Sequence, residues 1–266
     1  MKLSLLLLTI VLLVNCATGL HTTPSLIEKN ALAQTVIPGH PFDHKIFHNS
    51  ARANNNTLHL YIAGDGIPWI EGKHIAANPT PSKSLALNLM AVDTHNAVLI
   101  GRPCYFEMEN ARNCQPDLWT FARFSQDVVS SMLKATNEWL KIHPHSNIIV
   151  IGYSGGGTLA MLLAPHIPHV TAVVTIAGNL NIEHWTKEHD YLPLNQSIDP
   201  ISSKPPPAHI KQVHIIGGKD KNVTAEITLS YVQKHGGNIW RYPEFNHSCC
   251  WLDEWPRILQ RLETEL

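Results

Sequence analysis

Three stretches in the second half of the chain, NIIVI (147–151), TAVVTIA (171–177) and QVHIIG (212–217), limit the fold most. Each is a short, nearly continuous apolar run rich in β-branched residues, the composition of a strand covered on both faces. Strands hidden on both sides belong in a parallel sheet, whose neighbours are joined by crossovers, usually helices. TLHLYIA (57–63), NAVLI (96–100) and NIWRY (238–242) read as further strands. Between them the spacing predicts a helix near Ser82–Met90 and a long one from about Asp117 to Ile142. The latter carries Phe121, Phe124, Val128, Met132, Ala135, Trp139 and Ile142 on one stripe at steps of three and four. Another helix ends at Gly236-Gly237. A C-terminal helix buries Leu252, Trp255, Ile258, Leu259 and Leu262, with Pro256 expected in its first turn. This alternation predicts an α/β fold: a mainly parallel central sheet with helices on both faces.

A chain of 266 residues has room for one sizeable α/β domain, placed at residues 41–266. Residues 20–40 show no clear period and read as a loose N-terminal segment. Residues 179–210, closing on the proline cluster SKPPPAH (203–209), exceed the usual connection between a strand and the next element. They are expected as a small lid over a site or as a surface excursion. At the start, Lys2 precedes LSLLLLTIVLLV, a run short of the roughly 20 residues that span a bilayer. Residues 1–19 therefore read as a secretory signal peptide, with an uncleaved anchor as the alternative. LVNC, ending at Cys16, is similar to a bacterial lipoprotein processing site, and cleavage after Gly19 competes with it. The expectation is an exported protein: periplasmic, secreted, or tethered to a membrane through a lipidated Cys16.

Twenty Lys and Arg against twenty-one Asp and Glu leave a net charge of −1, which gives no basis for a nucleic-acid partner or an acidic membrane surface. Apart from Cys16 there are four cysteines, an even number, which allows three pairings. Cys104 and Cys114 bracket a short polar loop and are candidates to close it in an oxidising compartment. Cys249 and Cys250 are adjacent, and form either one bridge or two separate bonds.

The chemistry begins at Gly152-Tyr153-Ser154-Gly155-Gly156, a G-x-S-x-G sequence with a strand before it and a helix after it. That context raises a serine on a sharp, strained turn at the carboxyl edge of a sheet, beside the unpaired N–H groups of the next helix. A serine hydroxyl needs a base, and the base needs an orienting acid. In this type of fold they follow in the order Ser, acid, His. Asp220 lies after the strand QVHIIG and a Gly217-Gly218 turn. His247, in YPEFNHSCCW, lies between NIWRY and the last helix. His143, His145, His166 and His169 read as loop residues, His214 as a packed core histidine, and His184 and His189 as candidates for the mouth of a site. An oxyanion hole is expected from the backbone N–H groups of Gly155 and of Asp65, the latter in YIAGDGIPW, with Arg102 as a partner for the Asp65 carboxylate. Trp69, Tyr153 and Trp185 are candidate substrate-binding residues. Trp119 and Trp251 serve either an acyl site or the core.

On the elbow, Asp220 and His247, the chain resembles an α/β-hydrolase from about residue 57 to its C-terminus. GDGIPW, RPCY, WTFARFS and NHSCCW also resemble an exported bacterial branch of these enzymes. Where lipases of this superfamily often carry His-Gly, this chain has Ala63-Gly64. The resemblance implies a serine hydrolase of the esterase, lipase or thioesterase kind. It would act on a small-molecule or lipid ester through an acyl enzyme, with no metal and no organic cofactor. An acyltransferase using the same acyl enzyme, or a binding protein of the envelope on the same scaffold, are the alternatives. No pair of histidines at metal-binding spacing falls on a predicted helix.

Overall fold

The computed structural model describes residues 19–49 and 57–266. The leader expected over residues 1–19, Cys16 included, lies outside the described residues but for Gly19. Among the described residues, no helix is long and apolar enough to cross a membrane.

The six strands read from the sequence are β3 (Thr57–Ile62), β6 (Asn96–Ile100), β7 (Asn147–Tyr153), β8 (Val170–Ile176), β9 (Lys211–Gly217) and β10 (Asn238–Tyr242). They pair in parallel in the order β6-β3-β7-β8-β9-β10. Two strands extend the sheet beyond β6 in antiparallel fashion, β2 (Asp43–His48) and then β1 (Ala33–Pro38) at the edge. The helices α2 (Leu85–Val92) and α7 (Trp251–Glu265) pack on one another on one side of the sheet. On the other, α3 (Gln126–Ile142) packs on α4 (Gly155–Leu163), which presses on β7 and β8. The central strands are buried on both faces (Val150, Val173, Val174 and Ile215 are at most 1% exposed), which is why their sequences lack alternation. A two-stranded hairpin, β4 (Trp69–Ile70) and β5 (His74–Ile75), stands after β3.

Residues 20–40 are not a loose segment. They form α1 (Thr23–Asn30) and β1. Both are nearly silent in the sequence for a physical reason: α1 buries only Leu26, and β1 is an edge strand exposed along most of its length, held by backbone pairing to β2. β2 is hidden differently, because one of its inward residues is His44, whose ring nitrogens lie 2.8 Å from the Gly101 carbonyl oxygen and 2.7 Å from Ser131 Oγ.

The long helix expected from Asp117 is interrupted. A 3-10 turn covers Pro116–Trp119, and α3 starts only at Gln126, where Ser125 caps it by accepting from the Val128 N–H. The intervening backbone is held by Ser197, whose hydroxyl donates to the Phe121 carbonyl at 2.7 Å and accepts from the Phe124 N–H at 3.2 Å. Pro256 likewise is not in the first turn of its helix: α7 begins at Trp251, so the proline sits in the second turn, on its exposed side. Among the described residues Cys104 is placed to bridge with Cys114, and Cys249 with Cys250. In the excursion, α5 (Ile182–Glu188) and a 3-10 turn (Pro200–Ser202) are the regular elements.

Candidate functional site

Four loops leave the carboxyl ends of the parallel strands and converge. β7 ends at Tyr153, and Ser154 then adopts φ 55° and ψ −124°, a region where non-glycine residues cost about 1–3 kcal/mol. The turn is tight enough that its neighbours must lack side chains. A Cβ on Gly156 would stand 2.3 Å from the Ile62 carbonyl oxygen, and one on Gly152 would stand 2.2 Å from that of Gly156. Ser154 thus rests 8% exposed at the start of α4, where backbone N–H groups without helical partners face outward.

Asp220 follows β9. Its Oδ1 accepts from the N–H groups of Asn222 and Val223 at 2.8 and 2.9 Å, which fixes the carboxylate and leaves Oδ2 for His247 Nδ1 at 2.8 Å. His247 follows β10, and its Nε2 lies 3.1 Å from Ser154 Oγ. Two further groups hold the histidine loop: Trp251 Nε1 donates to the carbonyls of Asn246 and His247, and Tyr153 Oη donates to the His247 carbonyl at 3.1 Å. The Asn246 side chain accepts from the N–H groups of Ser248 and Cys249. The structure therefore brings Ser154, His247 and Asp220 into one hydrogen-bonded series.

Asp65 follows β3. Its carboxylate lies over Gly155, where a Cβ would meet Oδ1 at 2.1 Å. It is paired with Arg102 through Oδ1 and with Arg123 through Oδ2 at 2.9 Å, and Tyr105 donates to its carbonyl at 2.7 Å. Burial alone would raise its pKa, yet the Arg123 and Arg102 guanidiniums hold it below the usual carboxylate range. Burial pushes the Tyr105 phenol up to about 12. The backbone N–H groups of Gly155 and Asp65 donate to no other group among the described residues. Arg102 was expected beside Asp65; Arg123, Tyr105 and Asn246 were not. The signal for the first two was nonetheless present, since RPCY and WTFARFS are the segments that supply them.

Above Ser154 lies a cavity of about 800 Å³. Trp69, Tyr153 and Trp185 all line it, together with Phe121, Leu194 and the tip of the excursion at Tyr191 and Leu192. Trp119 and Trp251 do not: they are core residues, 4% and 0% exposed. His184 and His189 do not reach the cavity either, because His189 Nε2 lies 2.8 Å from the Asn222 carbonyl and His184 faces Glu188. His214 is fully buried against Thr175 Oγ1, and burial lowers its pKa to about 3.

The fold is shared with solved structures of low sequence identity. An esterase of Pyrococcus furiosus superposes with a TM-score of 0.61 at 12% identity, over 90% of this chain and 95% of that one. A putative α/β hydrolase of Agrobacterium tumefaciens gives 0.58 at 14% identity, over 88% and 98%. The acylaminoacyl peptidase of Pyrococcus horikoshii gives 0.59 at 11% identity over 91% of this chain, which spans 43% of the peptidase's length. No curated protein matches the chain in sequence. The dienelactone hydrolase family model matches residues 103–247, more than half of the chain and the whole stretch from the Cys104 loop to the histidine facing Ser154. With that match and this fold, the chain belongs to the dienelactone hydrolase family and is an α/β-hydrolase enzyme.

Proposed function

We propose that the protein hydrolyses carboxylic esters or thioesters, with Ser154 as nucleophile, His247 as general base and Asp220 as the acid that orients it. The observation that carries this reading is the series Ser154 Oγ, His247 Nε2, His247 Nδ1, Asp220 Oδ2, with spacings of 3.1 and 2.8 Å, at the floor of a largely apolar cavity. His247 takes the hydroxyl proton as Ser154 Oγ attacks the carbonyl carbon. The alkoxide or thiolate then leaves with that proton, and water, deprotonated in turn by His247, releases the acid. Asp220 holds the Nδ1–H tautomer and balances the imidazolium while it exists.

The N–H groups of Gly155 and Asp65 are the donors to the oxyanion. Asp65 would be an awkward neighbour for a forming negative charge if its carboxylate were alone. One carboxylate between two guanidiniums leaves a local charge of +1, so Arg102 and Arg123 turn the loop from repelling to attracting. Trp69, Tyr153 and Trp185 bind the acyl or alcohol portion. This chemistry uses side chains and backbone of the chain itself.

A panel of nitrophenyl esters and acyl thioesters of graded length, run with wild type and Ser154→Ala, tests the reading. Turnover by Ser154→Ala is expected to fall by at least about a thousandfold with the unfolding transition unchanged. Wild-type rates from a folded Ser154→Ala protein would overturn the proposal.

A further inference from the structure

Half of the large exposed apolar side chains among the described residues gather at one opening. Eight large hydrophobic side chains are exposed among the described residues, and five of them stand on the two segments that border the mouth above Ser154. Ile67, Ile70 and Ile75 belong to the β3 loop and its hairpin. Tyr191 and Leu192 belong to the excursion on the other side. Ile67, Tyr191 and Leu192, at 47, 53 and 69% exposure, line the cavity itself. Ile75 stands opposite Trp69 in the hairpin register and so shares its face, whereas Ile70, paired with His74, lies on the other face and is not part of the rim. The remaining three, Val36, Val92 and Ile142, lie on β1, α2 and α3, and none lines the cavity. Scattered apolar residues need no explanation, whereas a group ringing one opening does.

We infer that this rim inserts into a neutral lipid–water interface, and that the site draws its acyl ester directly from it. The inference rests on the ester-hydrolase reading of Ser154 and assigns that site a substrate class. Two features select a lipid surface. The rim is continuous with the apolar walls formed by Trp69, Phe121, Trp185 and Leu194, so an acyl chain leaving the lipid stays against apolar side chains down to the serine. A protein seated on the same rim would instead cover the mouth above Ser154. The charges of the rim, Lys73 and Lys83 against Asp190 and Glu71, cancel, so the attraction is insertion of side chains and not a field.

The test uses the full chain as Ser154→Ala, so that binding is read without turnover. An environment-sensitive fluorophore is placed at Leu192→Cys and, as a control away from the rim, at Ile142→Cys. With phosphatidylcholine vesicles the probe at 192 is expected to shift to the blue and the probe at 142 to stay unchanged. Adding Ile67→Ser and Ile75→Ser is expected to weaken the apparent vesicle affinity about tenfold. The inference is overturned by no shift at 192, by an equal shift at 142, or by a shift confined to anionic phosphatidylglycerol vesicles. A dimer in sedimentation that the two serine substitutions dissolve would also overturn it, by assigning the rim to a second copy. Failure of wild type to hydrolyse any ester would sink the hydrolase reading while leaving the fluorophore result standing, so the two are separable.

Discussion

The sheet carries two histidine–carboxylate systems at opposite ends, and they differ in where their hydrogen bonds stop. At the carboxyl end, Asp220 spends one oxygen on backbone N–H groups and the other on His247, whose far nitrogen faces a hydroxyl on the wall of a cavity. Near the amino ends of β3 and β6, Asp93 collects His59 Nδ1 at 2.6 Å, Tyr61 Oη at 2.5 Å and both the N–H and Nδ1 of His95. The far nitrogen of His95 then meets a second carboxylate, Glu263 of α7, at 3.0 Å, and Trp255 Nε1 donates to Tyr61. The amino-end network is buried as far as His95, ends on the exposed carboxylate of Glu263, and none of its members lines the cavity. The carboxyl-end series stops on a strained, accessible oxygen. Residue types are nearly the same in both, so reactivity comes from the last partner and from access, while closure gives stability.

Exchanging the central carboxylates is the most severe way to break that contrast. Asp220→Asn is expected to lower kcat by about 10³–10⁴, by loosening the histidine tautomer, with little change in unfolding free energy. Asp93→Asn is expected to do the reverse. It leaves the buried imidazoles of His59 and His95 without the carboxylate that accepts their hydrogen bonds and costs about 3 kcal/mol of stability, with kcat near that of wild type for the protein that remains folded. Ester kinetics beside denaturant unfolding of both variants decide the matter. An Asp93→Asn protein that unfolds normally but has lost turnover would show the two ends to be coupled.

A second contrast concerns pH. His44 and His214 are buried neutral, with pKa values lowered by burial to about 4 and about 3, against 6.5 when unfolded. Below pH 6.5 the unfolded chain binds protons that the folded chain does not, so stability present above that pH is lost as pH falls towards those values, on the order of 3 kcal/mol for His44 and 5 kcal/mol for His214. His95 has the opposite sign. Its hydrogen bond to Asp93, opposed by partial burial, raises its pKa, so its contribution is full below the unfolded value and is lost as pH rises through the folded one. Unfolding free energies measured from pH 8 to pH 4 are expected to fall overall, and His95→Gln is expected to destabilise more at pH 5.5 than at pH 8. An equal cost at both values would mean that His95 acts by packing alone.

How much of this was readable in advance follows the same physics. Ser154, Asp220 and His247 each follow a parallel strand, in a fixed chain order, so topology alone carries them to one edge of the sheet. Arg123 has no such marker. It lies within a stretch whose Phe121 and Phe124 continue the spacing of α3. The distant Ser197 hydroxyl, which engages the backbone of both phenylalanines, together with the Ile198 N–H on the Phe124 carbonyl and Arg102 on the Arg123 carbonyl, keeps that stretch out of the helix and lets Arg123 reach Asp65. The amino-end network was missed because His59 interrupts an otherwise apolar strand and its partners come from a loop and a helix far along the chain. Local pattern reveals a strand or a helix face; it does not reveal a residue whose conformation depends on a side chain about seventy positions away.

The smallest effects discriminate best: Tyr153→Phe removes one hydrogen bond and almost no volume, and Trp255→Phe removes one hydrogen bond and part of a fully buried ring. Tyr153→Phe deletes the donor that holds the His247 carbonyl, and Trp255→Phe deletes the donor to Tyr61. Each bond is worth about 1 kcal/mol of net stabilisation. At the amino end that quantity can appear only as stability, since Tyr61 still donates to Asp93 and nothing there faces the cavity. Trp255→Phe is therefore expected to lower the unfolding free energy by about 2–3 kcal/mol, the bond together with the space left in the core, with kcat unchanged. At the carboxyl end the lost bond fixes the loop of the base, so Tyr153→Phe is expected to lower kcat by about fivefold, with a smaller loss of stability because the Trp251 bond to the same carbonyl remains. Kinetics and unfolding on the pair form a two-by-two comparison. If Tyr153→Phe costs stability alone, the histidine loop is held by Trp251 and Asn246 and not by the tyrosine, and the division between a rigid end and a reactive end has to be drawn one residue closer to Ser154.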